Sequence, residues 1–245
     1  MAHVTIFYPA YNEQAYLLRA VEAAKEVGNR MVADGDIAGY DILIVDDAST
    51  DGSGILADAM VKEDHRISCI HHKTNRGLGG AVKSGLTHAR GDVVLYSDID
   101  LPFDMMNLKT AYRLMRYYDA DIVSAFRFDR TSEGLRRLIY SWLYNLLIKF
   151  VFGLRIKDVN FSCKLIRKKV IDAITLKSEG SFIDAELLAK ADRKGFHIIQ
   201  FGTNYFHRSC GVSTLSSWRV IVKILKEFFT LYREIKKSSS NRNAV

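Results

Sequence analysis

Residues 92–104 read DVVLYSDIDLPFD. Val93, Val94, Leu95 and Tyr96 suit the inside of a sheet, and the run then breaks into Asp98, Asp100 and, beyond Pro102, Asp104. Two carboxylates one residue apart repel each other unless a cation or a hydrogen-bonding partner lies between them. Aspartates with a proline close behind also mark an ordinary exit from strand to loop. On these residues alone a turn and a metal site fit equally well.

The same pattern recurs along the chain. Apolar, β-branched runs at 3–8 (HVTIFY), 40–46 (YDILIVD), 67–72 (ISCIHH), 121–126 (DIVSAF) and about 196–202 are read as further strands. Helical periodicity fills 13–33, 53–64 and 78–90 between the first four. Such alternation predicts an α/β fold with a mostly parallel central sheet flanked by helices, binding ligands at the carboxyl ends of its strands. There the first strand ends in Pro9-Ala10-Tyr11-Asn12-Glu13, the second in Asp46-Asp47 and the fourth in Asp98 and Asp100. A lone aspartate at such an end is a turn former, and Asp51 is read that way. Acidic groups at three ends make a strongly negative crevice, which a cation or several hydroxyl donors must offset. That convergence points to a site.

The chain has 245 residues, 48% hydrophobic and 26% charged, an ordinary globular composition with length for a sizeable core. Few prolines, no low-complexity linker and no internal repeat argue for one continuous unit over 1–215, followed by a basic amphipathic helix and tail over 216–245. Cys69, Cys163 and Cys210 are widely spaced and odd in number. They give neither a disulfide framework nor a zinc pattern, and a reducing compartment follows. The N-terminus enters a strand directly, without a basic-then-apolar leader. A formal net charge of +7 implies an anionic partner. No nucleic-acid-binding motif is present and the basic residues concentrate in the second half, which leaves an anionic membrane surface or a phosphorylated substrate.

Seven segments then occur in an order that resembles the family 2 glycosyltransferases of the GT-A fold, and within them the polyprenyl- or dolichyl-phosphate mannose and glucose synthases. They are YPAYNE (8–13), ILIVDDASTDGS (42–53), NRGLGGAVKSGLTHARGDVVLYSDIDL (75–101), FRFDR (126–130), DVNFSCKLIRKKV (158–170), DAELLAKADRKG (184–195) and HRSCGVSTL (207–215). The resemblance implies that Pro9, Tyr11 and Glu13 cradle the nucleoside of a GDP- or UDP-sugar, and that Asp46 and Asp47 address its base and ribose. Gly77, Gly79 and Gly80 would allow close backbone approach at the start of a helix. Asp98 and Asp100 match an Asp-x-Asp motif holding Mg²⁺ or Mn²⁺ against the donor diphosphate, a site of hard oxygen ligands. Mannose synthases often carry Gln two residues further on, where this chain has Pro102, so the sugar is not carried over. Arg127 matches a Ser-Arg motif, Arg136 or Arg137 an acceptor-phosphate contact and Arg208 a donor-diphosphate contact, all suited to bidentate phosphate recognition. Asp158, Lys164, Asp184 and Glu186 fall in two further motifs. Asp184 and Glu186 either lie near the sugar or merely acidify the first turn of a helix. Asp100, Arg127 and Asp184 are the expected catalytic side chains; His207 and Cys210 receive no role.

The implied reaction is metal-dependent, inverting transfer of a hexose to a polyprenyl phosphate, whose ionised oxygen needs no general base. The alternative is a soluble family 2 transferase acting on a sugar or protein hydroxyl, with Asp184 as base. A lipid acceptor requires a membrane surface. Of two candidate stretches, 135–154 is too short and too interrupted by charge to span one and 218–237 is a basic amphipathic helix; each apolar stripe either lies on the membrane or packs on the protein's own core. The expectation is a peripheral protein on the cytoplasmic face, with a membrane subunit or a second copy as further partners and no nucleic acid.

Overall fold

In the computed structural model the described residues are 1–129, 135–206 and 218–237, without the side chains of 135–137, 218–223, 225, 233, 236 and 237. The order is β1 (His3–Ala10), α1 (Gln14–Ala33), β2 (Gly39–Asp46), α2 (Ser53–Glu63), β3 (Ile67–His71), α3 (Gly77–His88), β4 (Val93–Tyr96) and α4 (Asn107–Tyr117). There follow β5 (Ile122–Arg127), α5 (Leu135–Phe152), β6 (Lys164–Arg167), α6 (Lys168–Ala173), α7 (Ile183–Arg193), β7 (Ile198–Thr203) and α8 (Trp218–Lys237).

The strands form one sheet in the order β3-β2-β1-β4-β6-β5-β7. All pairings are parallel except those of β6, which runs antiparallel to both β4 and β5. Strand order reverses between β1 and β4, the switch point at which α/β sheets open a crevice. Because successive side chains alternate faces, Ile6, Ile42 and Ile44 join one apolar cluster with α1, while Phe7, Leu43 and Val45 join the other with α3 and α7. Helix α1 shows why it forms where it does: Leu17, Ala20, Val21, Ala24, Val27 and Met31 recur at helical spacing and all are buried.

The C-terminal helix departs from the membrane-lying expectation. Phe228, Leu231 and Ile235 of α8 are buried in the second cluster, with Phe228 edge-on to both Phe152 and Phe182. Glu227 and Glu234 tie α8 to Ser178, Lys177 and Lys190. Its stripe covers the protein's own core, because Phe152 and Phe182 offer it an apolar seat. Helix α5 is different: Ile148 and Phe152 are buried, whereas Ile139, Tyr140, Trp142, Leu143 and Phe150 are exposed. Among the described residues no helix is long and apolar enough to cross a membrane.

Candidate active site

The ends of β1, β2 and β4 meet as their sequences imply. Asp47 N–H donates to the Ala10 carbonyl at 2.8 Å and Ser97 N–H to the Phe7 carbonyl at 3.1 Å. The loops after β1 and β2 are knitted together by Asn12, a residue that sequence reading passed over. Held at φ 56°, it accepts from Thr50 N–H at 2.8 Å and Asp51 N–H at 3.3 Å, and donates its own N–H to Ser49 Oγ at 3.0 Å. Tyr11 is exposed on this rim, and Pro9 lies in β1 opposite Val45. Glu13 opens α1 with its N–H on Ser53 Oγ. Asp51 behaves as the turn former expected, accepting Ser53 N–H at 2.9 Å.

Asp46 and Asp47 are buried, and their oxygens are engaged by the chain itself. Asp46 accepts from Ser49 N–H at 3.0 Å and pairs with His71 Nδ1 at 2.9 Å, while His71 Nε2 reaches Asp58 at 3.0 Å. Asp47 accepts from the N–H groups of Arg76 and Gly77, both at 2.8 Å, and pairs with His72 Nδ1 at 2.6 Å. This carboxylate therefore caps α3 from another strand, with a charge favourable to the helix dipole. Burial opposes ionisation of Asp46, but the bonds from Ser49 and His71 outweigh it and hold the carboxyl below its ordinary value. The Asp46 bond, against partial burial and with help from Asp58, raises the His71 imidazole. Sequence gave no signal for either pairing beyond the adjacency of the two histidines at a strand end.

Gly79 does allow close backbone approach, but by the protein's own loop. A Cβ at Gly79 would lie 2.5 Å from the Ser178 carbonyl oxygen and 2.7 Å from the Glu179 carbonyl carbon. Its N–H donates to the Glu179 carbonyl at 3.2 Å, and Glu179 also pairs with Lys83. The loop is fixed from below by Glu186, fully buried, which accepts from the backbone of Lys177 and Ser178 and from Lys190 Nζ at 2.6 Å. The space beside the Gly79 Cα is filled by residues 178–179, and Glu186 is the support of that loop. Gly77, at φ 75°, supplies the left-handed turn that starts α3.

Asp98 and Asp100 are half-buried and alternate with Ile99 and Leu101, which are buried in the first cluster. Leu101 stands at φ 52°, an uncommon conformation for a branched side chain, at the bend beyond the second aspartate. Among the described residues no three or more His, Cys, Asp or Glu groups are placed to hold a metal. The donor set nonetheless fits a hard divalent cation that takes two carboxylates from the protein and completes its shell with phosphate and water.

In the second half, Arg127 and Asp184 each face a buried partner. Arg127 is bidentate to Asp158, with Nε–Oδ2 at 2.7 Å and Nη2–Oδ1 at 3.0 Å, and lies over the rings of Phe161 and Tyr205. Asp184, only 3% exposed, accepts from Lys164 Nζ at 2.7 Å. Burial raises its carboxyl above the ordinary value by more than Lys164 lowers it. The side chains of Arg136 and Arg137, and the whole of Arg208, lie outside the described residues.

Residues 5–175 match the family model "Glycosyl transferase family 2". The chain belongs to that family. Its curated relatives include Glycosyltransferase AglD of Haloferax volcanii, 29% identical over 208 residues that make up 82% of this chain and 33% of AglD. The chain thus matches only a third of that longer protein. Undecaprenyl-phosphate mannosyltransferase of Micrococcus luteus is 30% identical, covering 72% of this chain and 76% of the relative. Polyprenol monophosphomannose synthase of Mycolicibacterium smegmatis is also 30% identical, covering 71% and 70%. Among solved structures, glucosyl-3-phosphoglycerate synthase of Mycobacterium tuberculosis, with Mn²⁺ and UDP-glucose, superposes at TM-score 0.63 with 19% identity, over 92% of this chain and 78% of that one. A mannosyltransferase of Pyrobaculum calidifontis, with GDP-mannose and Mn²⁺, gives TM-score 0.63 at 14% identity, over 97% and 69%. These likenesses establish the GT-A fold, and with the family model they make the chain a glycosyltransferase.

Proposed function

We propose that this family 2 enzyme moves a hexose from a nucleoside diphosphate sugar to a polyprenyl phosphate, with inversion. The observation that carries the reading is the placement of Asp184. A hydroxyl acceptor needs a positioned base within reach, and Asp184, the acidic candidate for that task, is buried and bonded to Lys164. A phosphate monoester is ionised near neutral pH and attacks the anomeric carbon without one. The relatives from M. luteus and M. smegmatis, named for undecaprenyl-phosphate and polyprenol-phosphate chemistry, support the same acceptor class.

Within this reading the loop ends at Pro9, Tyr11 and Glu13, with Asp46 and Asp47 behind them, shape the nucleoside end of the crevice. Asp98 and Asp100 would hold Mg²⁺ or Mn²⁺, which when bound supplies neutralising charge for the departing nucleoside diphosphate. Arg127 stands at the end of β5, oriented by Asp158, on the sugar side. Arg136 or Arg137 meets the acceptor phosphate and Arg208 the donor. The exposed side chains Ile139, Tyr140, Trp142 and Leu143, in the half of α5 that carries the acceptor arginines, and Phe150 near its other end supply the apolar face that rests on the cytoplasmic surface of the membrane. The test is product analysis: UDP- and GDP-sugars are offered with polyprenyl phosphate, with free polyprenol and with a simple glycoside. Transfer to polyprenyl phosphate alone is expected. Efficient glycosylation of polyprenol or the glycoside would replace this reading with the hydroxyl-acceptor transferase.

A further inference from the structure

Lys164 begins β6 with its side chain 0% exposed. Its ammonium donates to Asp184 Oδ1 at 2.7 Å and to the Phe161 carbonyl at 2.6 Å, and lies 5.7 Å from the centre of the Tyr96 ring. Sheet register sets it opposite Tyr96 of β4 on one side and Ser124 of β5 on the other. Tyr96 stands two residues before Asp98. Phe161 belongs to the loop whose Asp158 holds Arg127, and its ring lies under the guanidinium, 5.3 Å away. One buried cation therefore touches the root of the Asp98–Asp100 loop, the loop that orients Arg127, and α7.

Such a pair is a poor device for stability. Removing an ammonium and a carboxylate from water costs several kcal/mol per ion, and well-packed apolar side chains of similar volume commonly do as well or better. The neighbourhood carries further polar groups that a purely structural core would omit. The hydroxyl oxygens of Tyr96 and Tyr144 and the Ser124 Oγ are buried and have no hydrogen-bond partner among the described residues. Phenylalanine and alanine there would avoid that desolvation.

We propose that Lys164 is a positioning residue for the transfer reaction. Its ammonium fixes the Asp98–Asp100 loop through Tyr96, and Arg127 through the 158–163 loop, in one arrangement, with Asp184 as its counter-charge. The proposal rests on the sugar-transfer reading above, and the experiment separates the two. The variants are Lys164→Met, Asp184→Asn and the double Lys164→Met/Asp184→Asn, each read by melting temperature, kcat and donor KM with Mn²⁺. The double variant leaves no uncompensated buried charge, so its melting temperature should recover towards wild type. Its kcat should nonetheless stay about 10²-fold low, the loss that goes with reacting groups misplaced by ~1 Å, with donor KM within about threefold.

Asp184→Asn keeps an oxygen acceptor for the ammonium, so its comparison with the methionine variants separates loss of the counter-charge from loss of the ammonium. Should the methionine variants not fold, Lys164→Gln, which keeps a donor without the charge, carries the test, and a kcat within about threefold of wild type in it would overturn the proposal. A double variant that recovers kcat together with its melting temperature would make the pair purely structural, and the proposal would fail. So would a loss confined to donor KM. Turnover of the nucleotide sugar by water, measured without lipid, compares the same variants. A wild-type enzyme active in that assay but inert towards polyprenyl phosphate would count against the acceptor class alone.

Discussion

Gly79→Ala distinguishes a glycine that seats the protein's own loop from one kept open for a diphosphate. The added Cβ would meet the Ser178 carbonyl oxygen at 2.5 Å and Glu179 backbone at 2.7 to 2.8 Å, and none of these atoms is the end of a flexible side chain. Overpacking of this kind costs about 1–3 kcal/mol, while alanine in place of glycine within a helix returns up to ~1 kcal/mol. A net destabilisation of roughly 1–2 kcal/mol should lower the melting temperature of a chain of this length by about 2–8 °C. The fall should appear without any nucleotide. It should also couple to Glu186→Gln, because Glu186 fixes the other side of the same loop through Lys177 and Ser178. The assays are thermal melts of the two single variants and the double, together with donor KM. An unchanged melting temperature with a tenfold rise in donor KM would refute the reasoning and return Gly79 to the diphosphate.

Asp158→Asn should weaken the protein by about 3–5 kcal/mol, because it leaves the buried Arg127 guanidinium without its carboxylate; urea denaturation measures it, and a change below 1 kcal/mol would contradict the pairing. The His71 imidazole should titrate above its ordinary 6.5 and Asp46 below its ordinary 3.8. Their pairing then stabilises the fold between those two shifted values. It is lost as pH rises through the His71 value and as pH falls through that of Asp46, which an NMR titration of wild type against Asp58→Asn would follow, His71 moving down in the variant. Chelation should abolish transfer and Mn²⁺ restore it, while Asp100→Asn stays folded, melting within about 2 °C of wild type, yet inactive; full turnover in excess chelator would remove the metal from the reaction. Replacing the exposed Trp142 and Phe150 by Asp should leave the melting temperature within about 2 °C and abolish flotation with anionic liposomes, and unchanged flotation would place the membrane contact elsewhere.

The half of the fold that ends at β4 was legible because β1, β2 and β4 are largely apolar, mostly buried runs with their chemistry at the end. Strand β6 was not. Its four residues, Lys164–Arg167, hold only two apolar side chains between charges, and only the two neighbouring strands make Lys164 an interior residue. The partners of the acidic ends were hidden for a similar reason. His71, His72 and the α3 backbone lie 25 to 30 residues from Asp46 and Asp47, and nothing local specifies those meetings. Periodicity located the apolar stripe of α8 but could not say what covers it, since a stripe facing Phe152 and one facing lipid have the same spacing.

The antiparallel insertion of β6 also shapes how the chain can be made. β1 to β4 form a contiguous parallel set, whereas the outer edge of β4 is closed by a strand that leaves the ribosome roughly 70 residues later, some 3 to 14 s at ordinary rates of synthesis. For that interval Val93 to Tyr96 present unsatisfied backbone groups and apolar side chains, the features that recruit a second chain into edge-to-edge pairing. The late arrival carries its own gatekeepers: Lys164 and Arg167 bracket Leu165 and Ile166, so the free segment stays hydrated until the gap between β4 and β5 receives it. Misassembly during synthesis should therefore concentrate at this seam, and a chain truncated before residue 164 should aggregate through β4 rather than through β3 at the opposite edge.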